Sequence, residues 1–370
     1  MSLTFVVPPH LPEALAEPAA APLSLPHLEA LLAAATIAKG PDIERWLCDA
    51  IGVVVDGDPP IAPLRLAGES DDDVAAQARD GYWLCADPIA TTTGLDSVRV
   101  DAAVDDLSPV DARELIVALD GFFRADGLRF IAASPSRWYV RAASPQQLST
   151  TALDVVVGRS MLRWMPQGVD SATWRARLNE TQMLLHAHPV NAAREKRGQV
   201  PVSSCWVWGG GSWPRFSGAQ IDAVVAAPAW VIPACLENGV AVEDASMDEI
   251  VASSSGDRRI VVFVSGTDNS GADGTGVESP SVGAASSVGA ASSMEAASSA
   301  AQWRALDSTL FDALSRVAPR EPITLIVPWT EGTLRIDIAA PKQKSVWQRW
   351  FGGRDAPPQA VGEALRSWLQ

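Results

Sequence analysis

Three short apolar runs constrain this chain more than any other feature. LTFVV (3–7) is β-branched and aromatic and stops at Pro8 and Pro9, so it reads as a buried strand. RRIVVFVSG (258–266) is apolar through its centre, as suits a central parallel strand covered on both faces. ITLIVPW (323–329) follows a helical pattern, WRALDSTLFDALSR (303–316). Strand, loop, helix and strand in that order favour an α/β core with a mostly parallel sheet. The 370 residues, 47% of them hydrophobic, suffice for two domains or for one large α/β domain carrying an insertion.

Between these runs the chain alternates helical and extended patterns. LPHLEALLAAATIA (25–38) reads as a helix ended by Gly40 and Pro41, and IERWLCDAIGV (43–53) as a second. Residues 81–105 are strand-like around a threonine-rich loop, 108–127 form a helix, and LRFIAASPSRWYVRAA (128–143) is a hairpin turning at SPS. That group has the pattern of a compact α+β subdomain. DSATWRARLNETQMLLHAH (170–188) is a helix that Asp170 or Ser171 can cap and that Pro189 closes. AAREKRG (192–198) adds a short helical turn, and VSSCWVWGGG (202–211) is a strand running into glycines. Residues 221–239 mix helix and breaker signals. Residues 267–302 are rich in Gly, Ser and Ala and repeat SVGAAS twice before SMEAAS, so they read as a disordered surface loop.

Several function classes are disfavoured. A net charge of −15 and a pI near 4.7 argue against nonspecific binding to nucleic acid or anionic lipid. The N-terminus lacks a basic region and is broken by prolines, and no apolar run reaches the ~18 residues of a membrane span. The expected setting is the cytoplasm of a bacterial-type cell. Cys48, Cys85, Cys205 and Cys235 form no CxxC pair, so no zinc ribbon is expected, and they read as free, mostly buried thiols. The C-terminal PKQKSVWQRWFGGR (341–354) mixes cations with Trp347, Trp350 and Phe351. It reads either as a peripheral-membrane or partner helix or as a final helix packed on the core.

Candidate chemistry concentrates in LLHAHPVNAAREKRG (184–198). His186 and His188 hold half of the four histidines, but residues two apart on a helix point about 200° apart and do not share a metal. The WGGG turn has no lysine for a P-loop and has Pro214 where a dinucleotide fingerprint needs its third glycine, which leaves close backbone approach as the reading. No GxSxG elbow supports Ser-His-Asp catalysis. The acidic run at Glu69, Asp71, Asp72 and Asp73 reads as a solvated loop or a helix start.

The run HAHPVNAAREKRGQVPVSSCWVWGGG resembles the archaeal-type, cofactor-independent phosphoglycerate mutases of the alkaline-phosphatase superfamily. Those share a helix, HPVN, an arginine, a Gly-x-x-Pro connection, a strand and a Gly-rich turn. APLSLPHLEALLA, GYWLCADP and VWQRWF strengthen the likeness, above all to proteobacterial phosphoglycerate-mutase-like or RpfE-type regulatory proteins. The resemblance implies an alkaline-phosphatase-like α/β core over 1–75 and 190–350, an inserted α+β cap over 76–160, a connecting helix over 161–189, and a tail over 351–370. It also implies a ligand-facing role for His188, Asn191 and Arg194. Arg194 is the better candidate because a guanidinium forks onto phosphate or carboxylate; the alternative is that it serves as an ion-pair partner of a nearby acid.

Active members of that family hold two divalent metals on aspartates and histidines, which activate a Ser or Thr nucleophile. This sequence departs from the pattern. The first strand runs into Pro8, Pro9 and His10 in place of Asp-Gly. TDNSGADG (267–274) keeps Asp268 and Asp273 of a D-x-x-G-H-D-G signature but has Ala272 where the histidine belongs. The last core strand leads into Pro328, Trp329 and Thr330 in place of Asp-His. Asp268 and Asp273 therefore read as decayed metal-site positions, with no metal and no cofactor bound and no catalytic residue assigned. The leading expectation is a non-catalytic binding or regulatory protein for a small anion. The alternative is a working 2,3-bisphosphoglycerate-independent phosphoglycerate mutase or related metalloenzyme, for which Mn or Zn would be expected.

Overall fold

The computed structural model describes residues 2–7, 25–32, 35–94, 98–245, 249, 258–264, 304, 306–312, 314, 322–329 and 332–338. In chain order these form β1 (Ser2–Val6), α1 (Pro26–Leu32), β2 (Ala35–Gly40), α2 (Ile43–Ile51), β3 (Val53–Val54), α3 (Ile61–Glu69) and α4 (Asp72–Gln77). There follow β4 (Tyr82–Thr93), β5 (Val98–Ala103), α5 (Pro109–Phe123), β6 (Leu128–Ser134), β7 (Arg137–Ala142), α6 (Leu153–Val156), α7 (Ser171–His186) and α8 (Pro189–Lys196). The chain continues through β8 (Ser204–Ser212), β9 (Arg215–Phe216), β10 (Ala223–Val225), α9 (Val231–Glu237), β11 (Ala241–Glu243), β12 (Arg259–Phe263), β13 (Ile323–Trp329) and β14 (Gly332–Ile338).

The three founding runs lie side by side. The larger sheet has the order β11-β10-β12-β1-β13-β14-β2, with β1 parallel to both β12 and β13. Only β14 is reversed, pairing antiparallel with both β13 and β2, so the fold is mixed α/β with a mostly parallel central sheet. Period-2 alternation sends Leu3, Phe5 and Val7 to one face, against α1 and the π-helical turn Asp307–Phe311. Val6, Val224, Val261 and Ile326 meet Leu47, Ile51, Val231 and Ala234 of α2 and α9 on the other. Burial on both faces is why the β1, β12 and β13 sequences are nearly continuous apolar runs.

One expectation fails at the start of the chain. The helix from 25 stops at Leu32, and residues 35–40 form an edge strand paired with β14. β-Branched Thr36 and Ile37 fit an extended edge better than a helix. The partner strand β14 carried no separate sequence reading. The acidic run resolves as a helix start, where Asp71 caps α4 by accepting from Val74 N at 3.1 Å.

A second sheet has the order β5-β4-β7-β6, with β8 also pairing antiparallel to β4. The sequence reading returned the chain to the larger core at residue 190. In the structure, α8 and β8 still belong with the second sheet: Val190, Val202, Cys205 and Val207 pack with Trp138, Trp174 and Leu178. The chain rejoins the larger sheet only at β10. The 128–143 hairpin and the helix from Ser108 form as expected, Ser108 accepting from Asp111 N at 3.0 Å. The 267–302 loop and the 341–370 tail lie outside the described residues. Among the described residues no helix is long and apolar enough to cross a membrane.

Candidate functional site

The 184–198 segment is two helices meeting at an extended residue. Proline disfavours helical geometry before it, and His188 sits at φ −77°, ψ 135°. Pro189 ends α7 and also opens α8, because its missing N–H costs nothing at a first helical position. His188 caps α8, its Nδ1 accepting from Val190 N at 3.3 Å, which requires that Nδ1 carry no proton. His186 is exposed in the last turn of α7.

Asn191 and Arg194 point inward. Asn191 is buried, donates from Nδ2 to Leu185 O and Val202 O at 2.8 Å each, and accepts from Val202 N at 2.9 Å. One amide thereby ties the end of α7, the body of α8 and the approach to β8. Arg194 is fully buried, donates from Nε to Val200 O at 2.9 Å and pairs through Nη2 with Asp106. Its Nη1 is buried without a hydrogen-bond partner among the described residues. Asp106 is half exposed and covers the guanidinium. Of the three candidates, His188 lines a groove with Phe122, Glu180 and Met183. Asp268 and Asp273 lie outside the described residues.

The glycine run lies within β8, and its close approach is real. A Cβ on Gly209 would sit 2.9 Å from Ile61 Cβ, and one on Gly211 2.5 Å from Pro60 Cβ. Gly209 also has φ +64° and donates its N–H to Thr150 Oγ1 at 2.9 Å. Thr150 in turn donates from both N and Oγ1 to Asp58, whose carboxyl burial holds above its usual range against those two hydrogen bonds. The glycines thus seat α3 against the second sheet.

Beside that contact is a buried charged network that the sequence reading missed. Arg65 on α3 donates Nη1 and Nη2 to Asp87 on β4 at 2.8 and 2.9 Å, and Nε to Glu69 at 3.0 Å. Trp208 Nε1 donates to Asp87 at 2.9 Å, Tyr139 OH donates to Glu69 at 3.1 Å, and the guanidinium lies 5.6 Å from the Trp208 ring centroid. Burial is the largest influence and opposes the charge on Arg65, but Asp87 together with the groups around it outweighs burial and holds Arg65 protonated. The signal was present: one Asp inside YWLCADPIA and one Arg inside IAPLRLAG, each a lone charge in an apolar run.

All four cysteines are free and buried. Burial pushes the Cys48, Cys85 and Cys235 thiols up to about 12, and Cys205 higher still, so none is a thiolate at neutral pH. Among the described residues no group of three or more His, Cys, Asp or Glu is arranged to hold a metal ion. The described carboxyl ends of the parallel strands are Val6–Val7, Val225–Ala226–Ala227, Glu243–Asp244, Phe263–Val264 and Pro328–Trp329; the carboxylates among them, Glu243 and Asp244, lie on the edge strand β11, where Glu243 pairs with Arg258.

This mixed α/β architecture can be set beside known proteins. No family model matches the sequence. The chain is 29% identical over 159 residues to the 2,3-bisphosphoglycerate-independent phosphoglycerate mutase of Methanosarcina acetivorans, covering 39% of this chain and 40% of that protein. It is 28% identical over 158 residues to the protein of the same name from Methanosarcina mazei, covering 42% and 38%. The matched region thus spans about two fifths of the length of these curated relatives. Among solved structures, the PH0037 protein from Pyrococcus horikoshii aligns with a TM-score of 0.46 at 13% identity, covering 91% of this chain and 87% of that one. The chain is phosphoglycerate-mutase-like, a likeness at family level.

Proposed function

We propose that this chain is a phosphoglycerate-mutase-like protein that has lost the two-metal site and acts as a non-catalytic binding or regulatory protein. One observation carries the reading: His188 is the last histidine of the sequence, so no imidazole from any later strand or loop is available to a metal. The described ends of the central strands β1, β10, β12 and β13 fit a metal pair no better, since their side chains are aliphatic, aromatic or proline, and on the edge strand β11 Glu243 is already paired with Arg258. Two cations that neutralise phosphate charge and lower a nucleophile's pKa need several anionic or imidazole ligands each. No phosphoryl-transfer step is derived for this chain.

A small anion such as phosphate or glycerate remains the proposed ligand, with Arg194 and His188 as its candidate contacts. Engaging Arg194 requires the anion to replace Asp106, because the guanidinium is otherwise covered. Metal analysis of the purified protein, run beside a 3-phosphoglycerate to 2-phosphoglycerate assay with added manganese, tests the proposal. The expected result is substoichiometric metal and no turnover. Stoichiometric metal with manganese-dependent turnover would establish the alternative, an active mutase or related metalloenzyme.

A further inference from the structure

A groove on the outer surface, where α5 and α7 meet the start of α8, has His188 at one edge, while Asn191 and Arg194 do not line it. Its volume is about 380 Å³, and its lining includes Phe122 of α5, Glu180 and Met183 of α7, and Ala187, His188 and Pro189 at the helix junction. Phe122 is 50% exposed and Met183 74% exposed, although each is large and apolar. Glu180 places an exposed carboxylate beside them. An aromatic ring and a flexible thioether at the edge of a groove, next to one carboxylate, suit an aromatic side chain flanked by a cation.

A segment of that composition lies outside the described residues. Residues 341–354, PKQKSVWQRWFGGR, carry Lys342, Lys344, Arg349 and Arg354, no carboxylate, and Trp347, Trp350 and Phe351, in a chain of net charge −15. We propose that the groove is the docking site of this chain's own residues 341–354, with an aromatic side chain against Phe122 and Met183 and a cation beside Glu180. The described chain ends at Ile338, and residues 339–350 extend up to about 40 Å from it. Covalent connection also raises the segment's local concentration above that of an untethered competitor.

The test uses the full chain. Met183→Cys supplies an exposed thiol, while the four native thiols are buried. A maleimide-benzophenone attached there is photoactivated and its insertion sites are mapped by mass spectrometry. The expected result is insertion into residues 341–354 within a single chain, with the yield reduced at least threefold by Glu180→Lys, by Trp350→Ser and by raised salt. Glu180 is exposed, so its substitution leaves the fold intact, as circular dichroism will verify. Insertion elsewhere only, a yield indifferent to both substitutions, or products joining two chains would each overturn the proposal; the last would assign the groove to a second copy.

Discussion

Asp87 and Arg65 form a two-pronged ion pair sealed between α3 and the second sheet, with side chains 3% and 5% exposed. Tyr139 and Trp208 flank the guanidinium. Removing Asp87 takes the partners of both Nη groups of Arg65 and leaves it the Glu69 contact at Nε in a low-dielectric site. Asp87→Asn is expected to lower unfolding free energy by about 3–5 kcal/mol, measured by urea denaturation. Replacing both residues by apolar ones of similar size, Asp87→Leu with Arg65→Met, should cost much less than Asp87→Asn alone. A double variant as unstable as the single one would refute the view that the stranded charge dominates.

Asn191 joins three segments through a single side chain, so its truncation takes the partner from the buried Val202 N–H and carbonyl, while Leu185 O keeps the His188 N–H. Asn191→Ala should destabilise by about 2–4 kcal/mol, summing the cost of buried polar groups left unpaired. His188→Ala removes only the helix cap and should cost about 1 kcal/mol. Thermal melts of the two variants check the order, and equal losses would show that the Asn191 clamp is not the stronger tie.

The parts legible in the sequence are those whose residues answer to local physics. Ile323–Trp329 was readable to the residue because a strand buried on both faces is apolar throughout. The 128–143 hairpin was readable because Pro135 and Ser136 punctuate it. Residues 35–40 were misread because Ala-rich helical patterning continues past Leu32, and only pairing with β14 makes them a strand. Within the candidate segment, the helix break at Pro189 was visible, but the inward aim of Asn191 and Arg194 was not. It depends on Val200, Val202 and Asp106, up to 88 residues away in sequence. The placement of β8 in the second sheet was hidden for the same reason, since its partner β4 lies more than a hundred residues earlier.

Two glycines should respond in opposite directions. Gly209→Ala forces a left-handed backbone on a residue with a Cβ and presses that Cβ to 2.9 Å from Ile61 Cβ. The expected loss is about 2–4 kcal/mol, from the conformational and overpacking costs together. Gly121 lies in α5 with open space where its Cβ would go. Gly121→Ala should therefore stabilise by about 0.5–1 kcal/mol through helix propensity. Denaturant midpoints of the two variants give the comparison. A neutral Gly209→Ala would mean that α3 does not press on the glycine run.

Glu44 gives the fold a pH dependence of definite sign. Burial raises its carboxyl, and the negative charge of Asp154 raises it further, from the ordinary 4.5 to about 8. Between those two values the native state keeps a proton that the unfolded chain has released. Stability from this group is therefore complete below about pH 4.5 and is lost as pH rises through 8. Glu44 retains some solvent contact, so screening holds the effect to about 1–2 kcal/mol. Glu44→Gln keeps the neutral shape and removes the titration, so it should be more stable than the parent at pH 8.5 and nearly equal to it at pH 5. Urea midpoints at the two pH values decide the matter; a Glu44→Gln advantage that is the same at both would show that Glu44 carries no raised pKa in the native state.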